Sequence, residues 1–540
     1  MPNVSDLDNS EVNTTVLKYE DFGAIGDGIT DDSAAIRRTH DEANLRGLRV
    51  MGTAGKSYRI GIIESPIIVM TDTDWNGARI IFDDSVIPDD SAYRGIWVFH
   101  VTSSDTDNGH TVIPDTDLCI KKGQTNIGYP IGKACMLKLE NSNKQVYLRY
   151  GLNANKGFPL SEMILVDSDG NVDPSTPIQY DYDTVTSIVT YSIDDTPIRV
   201  GNAKIETRVY QPRRYKPDYE NYYCYYSRGV NISRSNTTLY GIDHTVVGED
   251  MTVSIDRDGD GIIDMYGADK SYGVPYVGCF YFEYCYNSRI IDSVIQGHQA
   301  YSFFQGATHD SPGDKRNEMG SYVMNAHNAI NLGIVNVRQR ENPDTGELIT
   351  NKTMYHGVMA SVFCRNMLVD NCYFDRFDSH CGLHSATIRN STIGFGIHVI
   401  GGGTLRIENT VRLTGLGFIS LRNDYNSIFD GDIIVRGCTA VDLSDFIYGT
   451  WREFYNGLDT VMTRSIDIDG LEVHNDSFTL FHINDAARDA LNSKINPLTV
   501  PERVTLRNVS VLTPDGARPL EPSVSCFDDA FASVKVNCKA

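Results

Sequence analysis

The chain has 540 residues and a formal net charge of −23 at pH 7; 41% of its residues are hydrophobic and 22% are charged. This negative charge argues against nucleic acid and anionic membranes as partners, because phosphate groups are bound by basic surfaces. No stretch reaches the about 18 consecutive apolar residues of a membrane helix, and the chain start lacks the apolar core of a signal peptide. The sequence therefore predicts synthesis in a cytoplasm, without Sec export or membrane insertion.

The 11 cysteines stand in strand-like segments and not in the paired spacing of zinc sites. Cys279, Cys364 and Cys438 are examples. Buried, reduced thiols behave as small apolar side chains, and we expect this of most of the cysteines.

The first predicted elements are a flexible lead-in and a capping segment. Residues 1–17 are polar and β-branched without periodicity, and the next stretch, YEDFGAIGDGITDDSAAI, places three glycines in a turn between a short strand and a helix. The helix is predicted over about residues 32–46, with Asp31 or Asp32 as its N-terminal cap and Gly47 at its end.

The stretch DFGAIGDGITDDSAAI resembles the opening of pectate-lyase-like β-helix proteins, which is common in phage tailspikes and in bacterial and plant polysaccharide-degrading enzymes. The resemblance covers about residues 18–61. It implies an all-β, right-handed parallel β-helix whose open end is covered by the helix, and it is not specific for a reaction. It also implies that Asp27, Asp31 and Asp32 have structural roles in the turn and the cap.

Short strands recur farther along the chain, each with a turn residue at a similar place. The spacing between successive turn residues has a minimum of 19 residues with variable insertions, as expected when coils stack and loops leave on one side. Asn and Gly suit such a bend because they tolerate left-handed backbone conformation. The predicted turn residues are Asn371, Asn390, Asn409, Gly437, Gly470 and Asn508.

One segment departs from this pattern and divides the predicted β-helix. Residues 119–212 alternate strands with tight turns, which predicts an antiparallel β insertion. The remaining divisions are a cap at 18–61, the first coils at 62–118, the main β-helix with loop insertions at 213–515, and a C-terminal tail at 516–540.

An acidic loop has the spacing of a calcium site. Its carboxylates occupy positions 1, 3, 5 and 9, and a glycine stands at position 6, which is the arrangement that wraps oxygen atoms around Ca²⁺. Position 12 is a glycine where a full EF-hand has a bidentate glutamate, so the alternative is a solvated acidic turn. We expect a bound ion to be structural. The predicted ligands are Asp256, Asp258, Asp260, Ile262 and Asp264.

Stacking of the coils predicts a groove lined by polar side chains, because neighbouring strands lie about 5 Å apart. We assign substrate binding to His244, Tyr301, Arg338 and Arg340. The predicted column consists of His244, Gln296, His298, Arg338, Arg340, Asp375 and Arg376, and adjoining loops add Tyr301, His309, Asp310, Asp314, Asp378, His380 and His384.

Two reactions fit this groove. Hydrolysis of a glycosidic bond uses two carboxyl groups, one of which keeps a proton near neutral pH, and Asp375 and Asp378 are the predicted pair. Elimination needs a base beside a neutralised uronate, and His298, Arg376 and His380 keep that route open. The alternative for each residue is a structural role in the coil.

The resemblance implies a phage tailspike that depolymerises a bacterial capsule, lipopolysaccharide or teichoic-type wall polymer. Its expected partners are that polymer, two further copies of the chain in a homotrimer, and other phage tail proteins. Its expected location is the virion tail, after synthesis in the host cytoplasm. Two alternatives stay open, namely a receptor-binding spike that does not cleave and a cellular polysaccharide lyase or hydrolase.

Overall fold

The computed structural model describes residues 16–88, 92–114, 118–147, 157–209, 228–248, 254–255, 265–266, 277–297, 301–303, 316–318, 322–340, 357–415, 417–422, 429–450, 460–461, 463–475, 478–484, 498–499, 501–513, 516–519, 524–525 and 536–539. These residues form a right-handed parallel β-helix with an antiparallel sheet inserted near its beginning. The parallel β-helix that the opening motif predicts is confirmed.

Each coil contributes strands to three parallel faces. The first face stacks Val16–Lys18, Arg49–Met51, Thr73–Asp74, Ile198–Arg208, Thr237–Val247, Arg289–Ile295, Gly333–Gln339, Arg365–Asp370, Leu383–Arg389, Gly401–Glu408, Phe429–Asp442, Ser465–Val473, Arg503–Thr513 and Val536–Lys539.

The longer strands of the first face continue around a bend into the second face. That face also contains Asp27–Asp31, Ser57–Ile60, Arg79–Asp83, Val411–Thr414 and the first halves of Tyr373–Asp378 and Thr392–Val399.

The third face stacks Ile67–Val69, Phe99–Thr102, Val230–Ser233, Phe280–Glu283, Tyr322–His327, Gly357–Val362, the second halves of Tyr373–Asp378 and Thr392–Val399, Ile419–Leu421, Asp445–Thr450, Thr479–Asn484 and Val524–Ser525.

The core runs along the inside of the coils. Side chains alternate between the two sides of a strand, so every second residue points inward and stacks on its counterpart in the next coil. Burial of each such side chain contributes about 1.5–3 kcal/mol. On the third face the buried column consists of Phe99, Val230, Phe280, Met324, Val358, Phe377, Ile397, Ile419, Ile447 and Phe481.

The bend between the first and second faces is made by residues in the left-handed region. All six turn residues predicted from the sequence have positive φ, from 46° at Asn409 to 77° at Gly470. Asparagine amides also link neighbouring coils: Nδ2 of Asn371 donates to Oδ1 of Asn336, and Nδ2 of Asn409 donates to Oδ1 of Asn390, each at 3.3 Å. The predicted turns are therefore confirmed.

The cap closes the first coil as predicted. The helix spans Ser33–Arg46, and Gly47 ends it at φ +65° with its N–H bonded to the carbonyl of Ala43. The carboxylate of Asp32 does not cap the helix; it accepts the backbone N–H groups of Ile25 (2.7 Å) and Gly26 (3.2 Å) and so holds the glycine turn. Asp31 takes the capping role by accepting the N–H of Ser33 at 3.0 Å.

The inserted antiparallel sheet has four strands, His110–Val112, Cys135–Val146, Phe158–Val166 and Ser187–Ser192. Its predicted limits, 119–212, need correction at both ends. His110–Val112 already belongs to the sheet, whereas Ile198–Arg208 pairs in parallel with coil strands on both sides. The alternation of Ile198–Arg208 resembles that of the insertion, so the pattern alone did not separate the two.

The C-terminal segment 516–540 is also more than a tail. Gly516–Pro519 folds back on Arg503–Thr513, while Val524–Ser525 and Val536–Lys539 extend the third and first faces.

The remaining strands form three small pairs, Ser254–Ile255 with Met265–Tyr266, Tyr301–Phe303 with Arg316–Glu318, and Thr460–Val461 with Leu498–Thr499. Within the described ranges, no helix has both the length and the apolar character needed to cross a membrane.

Candidate functional site

The outer side of the third face carries a column of polar and aromatic side chains. They alternate with the buried core residues of the same strands, so the register of the coils places them one above another. The column consists of His100, Asn231, Tyr281, Asn325, Asp378, His398, Ser420, Tyr448 and His482.

Asp378 is the centre of a charged cluster in this column. Its Oδ2 accepts a hydrogen bond from the hydroxyl of Tyr322 at 2.9 Å and another from Nη2 of Arg376 at 2.5 Å. Its Oδ1 accepts from Nη1 of Arg422, and Nε2 of His380 lies 3.6 Å from Oδ2. We call these five residues the Asp378 cluster.

The carboxylate of Asp378 is fully buried yet ionised. Burial alone would raise its pKa, but the positive charges of Arg376 and Arg422 outweigh that effect and hold the pKa well below its usual range. The two arginines keep 13% and 14% of their side-chain surface exposed, and His380 keeps 20%. The cluster therefore has a buried anion and a partly accessible, positively charged outer layer.

Asp375 has the opposite electrostatic behaviour on the same strand. Its backbone N–H donates to Oε1 of Gln339 at 3.0 Å, and its carboxyl group is buried where the strand bends toward the third face. Burial raises its pKa to about 8, and the charges of Arg376 and Arg412 only partly offset this. At neutral pH, Asp375 is mostly protonated while Asp378 is ionised.

The charge that faces Asp375 from inside the coils comes from Arg412. This buried guanidinium donates to six backbone carbonyl groups, with donor–acceptor distances from 2.8 Å at Gly394 and Gly417 to 3.2 Å at Thr414. Burial lowers its pKa to about 9. The planar guanidinium suits this site because it offers five N–H groups in a fixed geometry.

The tyrosine and histidine of the cluster form a hydrogen-bonded pair. Tyr322 has one hydroxyl proton, which it donates to Asp378, so Nε2 of His380 is the donor in its 2.9 Å contact with the Tyr322 oxygen. Nδ1 is then the basic nitrogen of neutral His380. Beside the cluster, burial lowers the pKa of His398 to about 3, so this histidine is uncharged at neutral pH.

The structure brings together Arg376, Asp378 and His380, three of the five residues predicted to be catalytic, and places Asp375 on the same strand. His298, the fifth, lies outside the described residues, as do His309, Asp310 and Asp314.

Three of the four predicted substrate-binding residues, Arg338, Arg340 and His244, do not meet at the cluster. Arg338 is exposed on the second face, and Arg340 pairs with the carboxylate of Asp243. His244 points into the coils with 1% exposure, where its Nε2 lies 3.0 Å from Oγ1 of Thr207, so we remove it from the candidate site. Tyr301 is the first residue of the short strand Tyr301–Phe303.

The predicted calcium ligands Asp256, Asp258, Asp260, Ile262 and Asp264 also lie outside the described residues, between the paired strands Ser254–Ile255 and Met265–Tyr266. In the part of the chain that the structure describes, no three His, Cys, Asp or Glu side chains are grouped to hold a metal ion.

Sequence reasoning missed Tyr322, Arg422 and His398. Tyr322 precedes Asp378 by 56 residues and Arg422 follows it by 44. Both residues lie on other coils than Asp378, each one intervening coil away, so no local motif links them to it. The available signal was the alternation within strands, which assigns His398 to the outer side opposite the core residue Ile397.

No family model and no curated protein matches the chain. Among solved structures, the chain is similar to the Gp54 tailspike of Acinetobacter baumannii bacteriophage AP22 in complex with A. baumannii capsular saccharide, with 13% identity, coverage of 98% of this chain and 82% of the tailspike, and a TM-score of 0.48. For tailspike gp61 of Pseudomonas phage phi297, the identity is 13%, the coverage is 96% and 83%, and the TM-score is 0.49.

A family 28 exopolygalacturonase of Yersinia enterocolitica aligns with 11% identity over 70% of this chain and 75% of the enzyme, with a TM-score of 0.35. Similarity at this level describes only the path of the backbone. It carries no information on the substrate or reaction of the chain.

Proposed function

We propose that this chain binds a bacterial surface glycopolymer along the third face and cleaves it by hydrolysis at the Asp378 cluster. The proposal rests on two carboxyl groups of the strand Tyr373–Asp378, the buried Asp375 and the arginine-bound Asp378, and the opposite directions of their pKa shifts support it. When the pKa values of two carboxyl groups move apart in this way, the group with the raised pKa can donate a proton while the other remains an anion.

The protonated Asp375 supplies the acid that glycosidic bond cleavage needs near neutral pH. Asp378 supplies the ionised carboxylate of the pair. Both of its oxygen atoms accept hydrogen bonds, which hold the carboxylate in one orientation and fix Arg376, Arg422 and Tyr322 around it. The cluster has two arginine charges against one carboxylate charge, so it favours an acidic sugar at this position.

Eliminative cleavage is the second candidate, and a specific contact favours it. The contact between Tyr322 and His380 places a phenol beside an imidazole, and Arg376 and Arg422 flank them as cations suited to neutralise a uronate. Elimination leaves an unsaturated sugar, whereas hydrolysis does not, so the products distinguish the two reactions.

The test is to incubate the purified protein with capsule, lipopolysaccharide and wall polymers from a panel of bacteria. Size-exclusion chromatography measures chain length, and ultraviolet absorbance detects unsaturated sugar ends. Shortening without new absorbance is expected. Shortening with absorbance would replace hydrolysis by elimination, and binding without shortening would make the chain a receptor-binding spike.

Variants connect the activity to the site. Asp375→Asn and Asp378→Asn should each lower the cleavage rate about 100-fold or more, in the range found when a general acid is removed. The matched control is Asp467→Asn, because Asp467 also pairs with two arginines, Arg436 at 2.6 Å and Arg507 at 2.7 Å, but on the first face. Equal losses in the variants and the control would contradict the assignment.

We further propose that the chain acts as a homotrimeric spike in a phage virion tail, together with other tail proteins. The opening motif supports this setting through its resemblance to tailspikes. Light scattering coupled to size-exclusion chromatography should give three times the mass of one chain, and a monomer would contradict the proposal.

Calcium binding at Asp256–Asp264 is proposed from the sequence spacing alone. Isothermal titration of the full chain should detect one Ca²⁺ site that Asp258→Ala removes. If the wild-type protein takes up no calcium, the acidic loop is a solvated turn.

A further inference from the structure

A cavity of about 260 Å³ lies between the antiparallel insertion and the coils, apart from the Asp378 cluster. Contacts from Arg365 and Asn366 fix the insertion to the coils beside this cavity. Arg365 donates to Glu162 and, at 2.8 Å, to the carbonyl of Pro177, while Nδ2 of Asn366 donates to the carbonyl of Ser175 at 2.9 Å. The cavity therefore lies between two parts of the molecule that hydrogen bonds and an ion pair hold together.

Aromatic rings form one wall of this cavity. The rings of Tyr147 and Phe363 are 5.9 Å apart at an angle of 65°, and the hydroxyl groups of Tyr147 and Tyr180 are 3.1 Å apart. Ligand pockets combine such apolar and aromatic surfaces with a few fixed polar groups. A sugar ring, which has apolar C–H faces and a polar rim, matches this combination.

Two of these aromatic residues occupy strained backbone positions. Tyr147 has φ +53° and Phe363 has φ +51°. At the turn of Phe363, the neighbouring coils carry Asn328 and Gly382, which tolerate this conformation better than a residue with a bulky ring. Gly382 also makes room for the ring, because a Cβ at that position would lie 2.4 Å from Cδ1 of Phe363. Strain of this kind is concentrated at functional sites.

The charged groups that line the cavity compensate one another. Glu162 and Arg365 form a buried ion pair, and Lys122 faces Asp430 at 3.5 Å near the surface. Burial lowers the pKa of His384 to about 3, so this histidine is neutral at neutral pH. Its Nδ1 is buried and makes no hydrogen bond to another described residue.

We propose that this cavity is a second glycan-binding site, which holds one uncharged sugar unit and does not take part in cleavage. Its volume is just below the about 300–1,000 Å³ of typical ligand pockets, which suits a single ring. Its balanced charges contrast with the excess positive charge of the Asp378 cluster. The proposal holds whether or not that cluster cleaves a polymer.

The test uses the full-length protein and saturation-transfer NMR with methyl glycosides in neutral and acidic pairs, glucose with glucuronic acid and galactose with galacturonic acid. Lys122→Trp should obstruct the mouth of the cavity and abolish saturation transfer. Lys121→Trp is the matched control, because Lys121 is exposed on the same segment and does not line the cavity. Tyr180→Phe removes one oxygen atom from the wall and should weaken binding about tenfold.

Transfer to a neutral glycoside that Lys122→Trp abolishes, and that Lys121→Trp and Asp378→Asn preserve, is the expected result. The proposal is overturned if no glycoside receives saturation, if the transfer that Lys122→Trp removes is as strong for the acidic member of a pair as for the neutral one, or if both lysine variants lose binding equally. Loss in Asp378→Asn alone would place the sugar at the Asp378 cluster and would also overturn it.

Discussion

The hydroxyl group of Tyr322 lies 2.9 Å from Oδ2 of Asp378, although 56 residues of chain separate the two residues. This contact joins two coils on the outer side of the third face. Arg376 approaches the same hydroxyl with Nη2 at 3.1 Å and has its guanidinium carbon 5.8 Å from the centre of the Tyr322 ring. The phenol is therefore held by an anion on one side and a cation on the other.

Replacing Asp378 with asparagine should destabilise the protein by about 3–5 kcal/mol. Arg376 and Arg422 would then keep their charges in a largely buried place without a counter-charge. The midpoint of urea unfolding measures the loss.

Asp467→Asn is again the control for this substitution. Asp467 keeps 30% of its side chain exposed and also pairs with two arginines, so its removal should cost less than about 1 kcal/mol. A similar loss of stability in both variants would show that burial of Asp378 has no special energetic effect.

The stability contribution of Asp375 should depend on pH. Because its folded-state pKa of about 8 exceeds the ordinary value, the proton is bound more tightly in the folded protein, and this contribution is complete below about pH 4 and lost as the pH rises to about 8. Asp375→Asn does not ionise. The free energy of unfolding of Asp375→Asn, compared with that of the wild type, should therefore increase as the pH rises from about 4 to about 8.

Urea unfolding of both proteins at about pH 5, 7 and 9 measures this difference. The cleavage rate of the wild type should also fall above about pH 8, where Asp375 loses the proton that it donates. A stability difference that stays constant with pH would mean that Asp375 titrates normally.

Arg412 should not be replaceable by lysine. Lysine has three donors on a single nitrogen atom and does not reach the six carbonyl groups that the guanidinium bonds, so buried acceptors would lose their partners at a cost of about 1–3 kcal/mol each. Arg406→Lys is the control, since Arg406 is partly exposed and pairs with Glu408. If the midpoint temperature of thermal unfolding falls equally in both variants, the network around Arg412 does not stabilise the protein.

The cap depends on a buried hydrogen-bonded chain that includes Tyr19. Nε1 of Trp75 donates to the Tyr19 hydroxyl at 2.9 Å, and that hydroxyl lies 3.0 Å from Nε2 of His40. Tyr19→Phe would leave both nitrogens without this partner and should lower stability by about 1–3 kcal/mol. Limited proteolysis near the N-terminus should accelerate in parallel, and an unchanged digestion rate would contradict the prediction.

The sequence predicted those parts of the fold that depend on local chemistry. Asn371, Asn390 and Asn409 were recognisable because few residue types tolerate the left-handed bend that stacked coils need. The glycine turn and the helix after it follow equally local rules. The limits of the insertion were misplaced because an alternating strand has the same pattern in a parallel and an antiparallel sheet.

The site was only partly predictable, since it depends on which coils become neighbours. Asp378, Arg376 and His380 are close in sequence and were identified together. Tyr322 and Arg422 reach them from other coils, each across one intervening coil, so these contacts depend on how the coils stack. The inward direction of His244 was equally inaccessible, because alignment by turn residues does not show on which side of the strand a residue points.

The Asp378 cluster is confined to the coils between Tyr322 and Arg422, where each of these two residues reaches Asp378 across one intervening coil, and backbone pairing links each coil to the one before it and the one after it. Whole coils near either end can therefore be gained, lost or exchanged while these contacts stay the same. The length of the β-helix and the residues of the Asp378 cluster can thus vary separately. This makes the segment from Tyr322 to Arg422 a transferable module for engineering.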